Sequence, residues 1–336
     1  MPELRKDPVS RRWVIIAPER TGKLENYSQN NSVNEKDSCP FCPGNEEKTP
    51  PEILAFRAEG NLKNGSEWWV RVIPNRFPAL VIEGNLNRSG VGMYDRMDGI
   101  GAHEVIIETP EHSGDFHTYT QEQAEQVIWA YRARYVDLTR DTRFKYILIF
   151  KNEGQAAGAS LKHPHSQLIA TPVVPKRVQE EMRGSKHYYN FKERCVFCDI
   201  LKQELDDGVR FVYQSEHFVV FAPFASRFPY EMWILPKVHY SSFGNIEESM
   251  VGDLSHTLQR ILGGLSRVLD KPSFNYVLHT SPCNSPKLKY YHWHIEIIPR
   301  LVKVAGFEWG TGFHINPTEP EQAARLLKET CKETGG

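Results

Sequence analysis

The stretch His163-Pro164-His165-Ser166-Gln167 places two histidines and a glutamine at alternate positions. Alternate side chains of an extended strand point to the same face, so the pattern predicts that all three converge on one small volume. One imidazole can bind a metal, the next can act as a nucleophile or base, and the amide can donate to an oxyanion. The stretch therefore indicates a catalytic strand.

The overall composition is that of an ordinary globular protein. The chain has 336 residues, of which 25% are charged and 40% hydrophobic, and its formal net charge is −1. This charge does not favour a nucleic-acid or membrane partner. No run of about 18 apolar residues predicts a membrane span. The start, Met1–Asp7, lacks the apolar core of a signal peptide, so we expect a cytoplasmic protein.

The two halves of the chain carry the same special residues in the same order, namely a Cys-x-x-Cys pair, a histidine and a His-x-His pair. In the first half these are Cys39, Cys42, His112, His163 and His165. In the second half they are Cys195, Cys198, His239, His292 and His294. The lone histidine and the His-x-His pair are 51 residues apart in the first half and 53 in the second. This order indicates a duplicated unit, with halves at residues 1–185 and 186–336.

The secondary-structure pattern interleaves many strands with few helices, which favours an α+β fold with a mainly antiparallel sheet. A capping box at Thr120–Gln123 predicts a helix to about Arg140, and a second long amphipathic helix is predicted over residues 246–270. Residues 84–101 are rich in glycine and are predicted to form a mobile loop. Strands are predicted at residues 12–17, 68–73, 104–108, 146–150, 166–171, 211–213, 218–221, 231–235, 274–279 and 292–298.

Two cysteines and two histidines form a tetrahedral ligand set for zinc. The first set is Cys39, Cys42, His112 and His163; the second is Cys195, Cys198, His239 and one of His292 or His294. Redox dithiols and a single zinc joining both Cys-x-x-Cys pairs are the alternatives. The repeat favours two zinc sites, since each half has its own ligands. A zinc closed by four protein ligands is structural, and the first would lock the strand that presents His165.

These motifs resemble those of the histidine-triad superfamily, whose signature is His-x-His-x-(His/Gln) on a strand. The duplicated form with His-Pro-His-x-Gln is similar to the galactose-1-phosphate uridylyltransferase family over nearly the whole chain. The resemblance implies a duplicated half-barrel of mainly antiparallel strands with flanking helices, and a homodimer. It also implies that His165 attacks the α-phosphorus of a nucleotide sugar, that Gln167 hydrogen-bonds the phosphoryl oxygens, and that the nucleotidyl group then passes to a sugar phosphate.

The resemblance further implies substrate contacts in four segments. They are the basic pair Arg20 and Lys23, the nucleoside segment Asn75, Arg76 and Phe77, the phosphate loop Asn152, Gly158 and Ser160, and the C-terminal segment Lys303, Phe307, Glu308 and Gly310.

The two halves are not equivalent in chemistry. Glu296 stands in the second half where Gln167 stands in the first, and a carboxylate there would repel a phosphate. We therefore predict that the first half is catalytic and that the second is a scaffold with a metal site. The second metal site of well-known uridylyltransferases uses a Glu and three His, so Cys195 and Cys198 depart from that pattern. This departure resembles a branch that includes an ADP-glucose phosphorylase, and iron is an alternative metal for the second site.

Three functions follow from these motifs. The first is a uridylyltransferase that moves the nucleotide from UDP-glucose to galactose 1-phosphate through a nucleotidyl-histidine. The second is an ADP-glucose phosphorylase, in which phosphate is the acceptor. The third is a zinc-stabilised, nucleotide-binding or hydrolytic histidine-triad protein. The remaining histidines, His103 and His279 among them, have no partners in the sequence pattern and are predicted to be ordinary surface or buried residues.

Overall fold

The computed structural model describes residues 1–6, 13–16 and 38–332. The predicted basic pair, Arg20 and Lys23, lies outside these residues. The strands are β1 (Glu3–Lys6), β2 (Trp13–Ile16), β3 (Leu54–Phe56), β4 (Val70–Pro74), β5 (Ser89–Val91), β6 (Tyr94–Asp98), β7 (Ala102–Ile107), β8 (Tyr146–Glu153), β9 (His165–Thr171), β10 (Phe211–Gln214), β11 (Phe218–Phe221), β12 (Met232–Pro236), β13 (Phe274–His279) and β14 (His294–Pro299). The α-helices are α1 (Gln121–Leu138), α2 (Lys176–Lys192), α3 (Val196–Asp207), α4 (Glu248–Leu269), α5 (Gly306–Thr311) and α6 (Pro320–Lys332).

Ten of these strands form one sheet in the order β10-β11-β12-β14-β13-β8-β9-β7-β4-β3, and every neighbouring pair is antiparallel. Each half supplies five strands in the same relative order, and the halves meet where β8 pairs with β13. The helices match as well, since α1 follows the third sheet strand of the first half and α4 follows that of the second. The predicted α+β class and mainly antiparallel sheet are confirmed.

The helices α1 and α4 pack on one face of this sheet and form the main core with it. Helix α1 begins after Thr120, whose side chain accepts a hydrogen bond from the Gln123 N–H, as the capping box predicts. The Gln123 side chain itself donates to the carbonyls of Trp69 and Glu108, so the second bond of the capping box is replaced by contacts with the sheet. Ser166 points toward α1, where its hydroxyl accepts a hydrogen bond from Tyr131 at 2.8 Å. Because side chains alternate along β9, His165 and Gln167 lie on the opposite face, away from these helices.

The prediction of a mobile loop over residues 84–101 is wrong. Strands β5 and β6 form a hairpin there, with Val91 opposite Tyr94 around the turn Gly92-Met93. Gly92 has a φ of 58°, a conformation that glycine adopts without strain, so this glycine serves a tight hairpin turn. Strand β6 also pairs with β1, which makes a separate four-stranded sheet, β2-β1-β6-β5.

Helix α2, which the sequence pattern does not predict, connects the two halves. The predicted division between residues 185 and 186 stays a prediction, and it lies within this helix. None of the helices in the described ranges is long and apolar enough to cross a lipid bilayer.

Candidate active site and metal centres

His165 is the first residue of β9 and is buried, with a relative exposure of 6%. Its Nδ1 lies 2.8 Å from the carbonyl oxygen of His163. A carbonyl oxygen only accepts hydrogen bonds, so Nδ1 carries the proton of the neutral ring and Nε2 carries the lone pair. The hydrogen bond to the backbone therefore selects this one tautomer, which is the form that a nucleophilic Nε2 would need.

His163 lies just before β9, which begins at His165. The prediction that His163, His165 and Gln167 share one strand therefore holds only for His165 and Gln167. Pro164 lies between His163 and His165 and has no N–H to donate to a neighbouring strand. Its carbonyl oxygen still accepts from the Glu108 N–H at 3.2 Å, so the chain stays close to β7. The ring of His163 consequently turns to a metal-binding group beside the strand.

The first predicted metal group is assembled in the structure. The ligand atoms of Cys39, Cys42, His112 and His163 all lie within 4.8 Å of one another, and all four residues are buried. The Sγ of Cys42 is 3.2 Å from Nδ1 of His112 and 3.6 Å from Nδ1 of His163. Two thiols and two imidazoles at such distances fit a tetrahedral zinc ion.

The hydrogen bonds around His163 also suit a metal ligand. Its Nε2 lies 2.8 Å from the carbonyl oxygen of Thr109, so Nε2 donates and the lone pair of Nδ1 faces the thiols. Burial lowers the pKa of His163 to about 4, which keeps the ring neutral, as metal binding requires. Phe41 packs edge-on against both His163 and His165, with ring centroids 6.0 and 5.4 Å apart. The Cys-x-x-Cys segment thereby contacts His165 as well as the metal group.

The second metal group is assembled in the same way and contains His292, not His294. The ligand atoms of Cys195, Cys198, His239 and His292 lie within 4.8 Å of one another. The Nε2 of His239 lies 2.9 Å from the carbonyl oxygen of Leu288, which directs Nδ1 to Cys198 at 3.3 Å. The hydrogen bond from Cys198 lowers the pKa of the Cys195 thiol and favours the thiolate that a metal binds.

His294 instead joins a different polar cluster. It stacks on His279, with ring centroids 4.6 Å apart and planes 3° from parallel, and Glu181 of α2 approaches both rings. The Nε2 of His279 lies 3.1 Å from Glu296 Oε2, and Arg227 pairs with the other carboxylate oxygen. His279 is thus a buried histidine with polar partners, and the sequence pattern did not reveal this cluster. Sequence reasoning missed it because its partners come from α2 and β14, at distant positions in the chain.

The predicted phosphate loop receives hydrogen bonds from a residue in the second half of the sheet. Asn275, on β13, donates from its amide to Asn152 Oδ1 at 2.8 Å and to the Ala157 carbonyl at 2.9 Å. The amide nitrogen of Asn152 faces Gly158, which has a φ of 88°. A φ in this left-handed region favours glycine. Ser160 lies exposed after this turn.

The predicted nucleoside segment, Asn75–Phe77, lies next to strands β7 and β9. The Asn75 N–H donates to the His103 carbonyl at 2.8 Å, and the ring of His103 contacts Gln167 Oε1 at 2.9 Å. Arg76 and Phe77 are exposed and adjoin each other, with the guanidinium 5.8 Å from the ring centroid. His103, predicted to be an ordinary histidine, thus bridges two predicted site segments.

The C-terminal segment is not brought to this site. Within the part of the chain that the structure describes, the hydrogen bonds of residues 303–313 stay inside that segment, including Ala305 N–H to Glu308 Oε2 at 3.1 Å and Thr311 to the Phe307 carbonyl at 2.7 Å. Lys303 and Gly310 are exposed. The contacts that the resemblance implies for this segment remain predictions.

Comparisons with known proteins agree with this geometry. A family model described as "Galactose-1-phosphate uridyl transferase, N-terminal domain" matches residues 1–175, and a domain of unknown function, DUF4921, matches residues 100–333. The chain is 37% identical to an ADP-glucose phosphorylase of Arabidopsis thaliana, over 98% of this chain and 93% of that relative. It is 31% identical to a galactose-1-phosphate uridylyltransferase of Thermotoga maritima, over 98% of this chain and 99% of that relative.

Solved structures give the same result. The crystal structure of the Arabidopsis thaliana ADP-glucose phosphorylase with bound ADP-glucose superposes with a TM-score of 0.77 at 37% identity, covering 98% of this chain and 99% of that one. A uridylyltransferase structure superposes with a TM-score of 0.83 at 28% identity, covering 99% and 100%. The fold and the site thus define an enzyme of the nucleotidyltransferase class. The chain belongs to the galactose-1-phosphate uridylyltransferase family, as its motifs predict.

Proposed function

We propose that this protein transfers a nucleotidyl group from a nucleoside diphosphate sugar to an anionic acceptor, through a covalent intermediate on His165. The observation that carries the proposal is the backbone-selected tautomer of His165, whose Nε2 bears the lone pair. In the first step Nε2 forms a bond to the α-phosphorus while the bond from that phosphorus to the bridging oxygen breaks, releasing a sugar 1-phosphate. In the second step an acceptor oxygen forms the new P–O bond and the P–N bond breaks.

The remaining groups of the site stabilise the charge on the phosphoryl oxygens. Gln167 offers an amide nitrogen, because its oxygen already accepts from His103. The amide nitrogen of Asn152, which lies beside Gly158, offers a further donor. Fixed donors of this kind lower the barrier because they do not reorganise during the reaction.

We propose UDP-glucose as the donor and a hexose 1-phosphate, galactose 1-phosphate, as the acceptor. The uridylyltransferase of Thermotoga maritima, similar over nearly its full length, supports this choice. The second candidate is an ADP-glucose phosphorylase, which would move an adenylyl group to phosphate. The 37% identity to the Arabidopsis thaliana enzyme of that name favours it. Both candidates use the same covalent step and differ in the base and the acceptor.

We propose that the two Cys₂His₂ groups hold zinc, with iron as the alternative metal in the second. When bound, the first zinc would anchor His163 and, through it, the carbonyl that orients His165. A thiolate site needs reduced cysteines, and none of the six cysteines, all within the described ranges, forms a disulfide, so the proposal agrees with a cytoplasmic location.

We propose that the protein is a homodimer in which the C-terminal segment contacts the partner subunit. The segment presents apolar side chains to solvent, with Phe307 54%, Trp309 78% and Phe313 71% exposed. Exposed aromatic residues close together in sequence are typical of an interaction surface. Lys303 and Glu308 would then take part in the sugar-phosphate site at the boundary between subunits.

The test is isolation of labelled protein after incubation with UDP-glucose or ADP-glucose carrying label in the α-phosphate. We expect acid-labile label on wild-type protein and release of glucose 1-phosphate. His165→Asn should abolish the label. His294→Asn is the matched control from the second half and should keep it. Label from ADP-glucose alone would select the second candidate, and no label from either sugar nucleotide would refute the transferase proposal.

A further inference from the structure

We propose that His103 is a positioning residue, which fixes the Gln167 side chain so that its amide nitrogen, and not its oxygen, faces the reacting phosphoryl group. The inference rests on the proposed function, because it concerns the donor that stabilises the transferred group. His103 is absent from the catalytic row in the sequence and acts through Gln167.

The sheet places the two side chains side by side. In the β7–β9 pairing, Val105 stands opposite Gln167 and His103 opposite Ile169, so His103 and Gln167 are diagonal neighbours on one face. The ring of His103 is 6% exposed, and its Nε2 lies 2.9 Å from Gln167 Oε1.

The direction of this hydrogen bond follows from the other side of the ring. The backbone N–H of Ala79 donates to His103 Nδ1 at 3.0 Å. A backbone N–H is only a donor, so Nδ1 is the unprotonated nitrogen of the ring and Nε2 carries the proton. The Nε2–H therefore requires an acceptor, and Gln167 must present its oxygen. A flipped Gln167 amide would set two donors against each other.

This arrangement matters because a glutamine amide has little intrinsic preference between its two orientations. The terminal torsion of Gln is broad and roughly two-fold, so an unheld amide would present its oxygen to the phosphoryl group in much of the population. An oxygen in that position repels the phosphate oxygens, whereas the amide N–H groups stabilise them. His103 removes the unproductive orientation before substrate binds.

His103 also connects this donor to the nucleoside segment. Its carbonyl accepts from the Asn75 N–H, and the Asn75 amide nitrogen lies 3.1 Å from His103 Nε2. The proton on His103 Nε2 is directed to Gln167, so the Asn75 amide nitrogen packs against the ring and does not hydrogen-bond to it. The Asn75 Oδ1 accepts from the Phe77 N–H at 2.9 Å, which fixes the start of the segment. The buried residue His103 thus contacts both Gln167 and the predicted nucleoside segment.

The test uses two substitutions that separate the two ring nitrogens. His103→Asn retains a polar atom near the position of Nδ1, where Ala79 donates, but has no donor at the position of Nε2. His103→Gln places an amide nitrogen near the position of Nε2 and keeps a donor for Gln167. The rate of protein nucleotidylation is measured in a single turnover at saturating nucleotide sugar, together with the thermal midpoint and the zinc content of each variant.

We expect His103→Asn to slow nucleotidylation about 10- to 100-fold, less than the roughly 10²- to 10³-fold loss typical of removing a donor itself. His103→Gln should recover most of the rate. In a Gln167→Ala background, His103→Asn should cause no further loss, because the group it positions is gone. The loss should lie in the rate at saturation rather than in KM.

Three results would overturn the inference while leaving the transferase proposal intact: a wild-type rate for His103→Asn, equal losses for both His103 variants, or independent losses that multiply in the double variant with Gln167→Ala. A purely structural role would lower the thermal midpoint and multiply in that double variant. Failure of the wild-type protein to form any nucleotidyl-histidine would overturn the proposed function and this inference together.

Discussion

Replacing Gln167 by glutamate would convert the row of the first half into that of the second, where Glu296 occupies the matching position. We expect Gln167→Glu to lose far more activity than Gln167→Ala, although glutamate is nearly the same size as glutamine. The reason is charge, since the new carboxylate would face a phosphoryl group that is itself negative.

The magnitude can be worked out from three contributions. Loss of the amide donor costs about 2.7–4 kcal/mol, which corresponds to about 10²- to 10³-fold in rate. A carboxylate about 4 Å from a negative phosphoryl group adds about 4 kcal/mol of repulsion at an effective dielectric constant of about 20. The His103 Nε2–H would bond more strongly to a carboxylate than to an amide oxygen, which offsets about 1 kcal/mol. The net penalty of Gln167→Glu beyond Gln167→Ala is then about 3 kcal/mol, or roughly 10²-fold.

The assay is rapid-quench measurement of nucleotidyl-protein formation, from which kcat/KM of the first step is obtained at several salt concentrations. Gln167→Ala reports the lost donor alone, and the ratio of the two variants reports the charge. The ratio of the Gln167→Ala rate to the Gln167→Glu rate should fall as the salt concentration rises, because ions screen the repulsion. The reciprocal substitution Glu296→Gln should leave the rate of transfer unchanged.

Equal rates for Gln167→Glu and Gln167→Ala would refute the electrostatic part of this reasoning. A severe loss from Glu296→Gln, with little from Gln167→Glu, would show that the catalytic half has been assigned to the wrong copy.

Three further predictions concern the surroundings of the site. Cys42→Ser should remove the metal of the first group only, so the zinc content measured by atomic emission should halve; an unchanged content would contradict the four-ligand assignment. Asn275→Ala should raise the KM for the nucleotide sugar by about 5- to 100-fold, because it removes two hydrogen bonds to the phosphate loop worth about 0.5–1.5 kcal/mol each; an unaltered KM in steady-state kinetics would exclude this role. Lys151→Met should lower the free energy of unfolding in urea by about 3–5 kcal/mol, because it leaves Glu108, its buried partner at 2.6 Å, without a counter-charge. Adding Glu108→Gln should restore most of that loss, and a single variant as stable as the wild type would contradict the expectation.

The duplicated unit could be predicted from the sequence because its markers are local and chemically unusual. Cys-x-x-Cys and His-x-His are short patterns, and their order along the chain survives even where the residues between them differ. The structure then places Cys39 and Cys42 within reach of His163, as the repeat predicts. The long helices α1 and α4 could be predicted as well, since burial on one face leaves a repeating pattern in the sequence.

The supporting contacts could not be predicted because they are made between elements that are distant in the chain. His103 reaches Gln167 across a strand pairing whose register no single segment contains. Asn275 reaches the phosphate loop across the junction of the halves. Isolated polar residues of this kind have many ordinary roles in proteins, and only the fold shows which one they serve.

The second half offers a physical reason for our prediction that only one copy of the duplicated unit is active. Its His294 has the same backbone hydrogen bond as His165, with Nδ1 3.1 Å from the carbonyl two residues earlier. The difference lies in what surrounds the ring. Glu181 of α2 and the carboxylate of Glu296 occupy the space beside it, and Arg227 neutralises Glu296 from within the protein. A phosphate would have to displace these internal partners. In the first half the corresponding groups are the uncharged amides of Gln167 and Asn152. A histidine in this position is therefore not enough to predict an active copy, and we propose that the uncharged donors beside it make the difference.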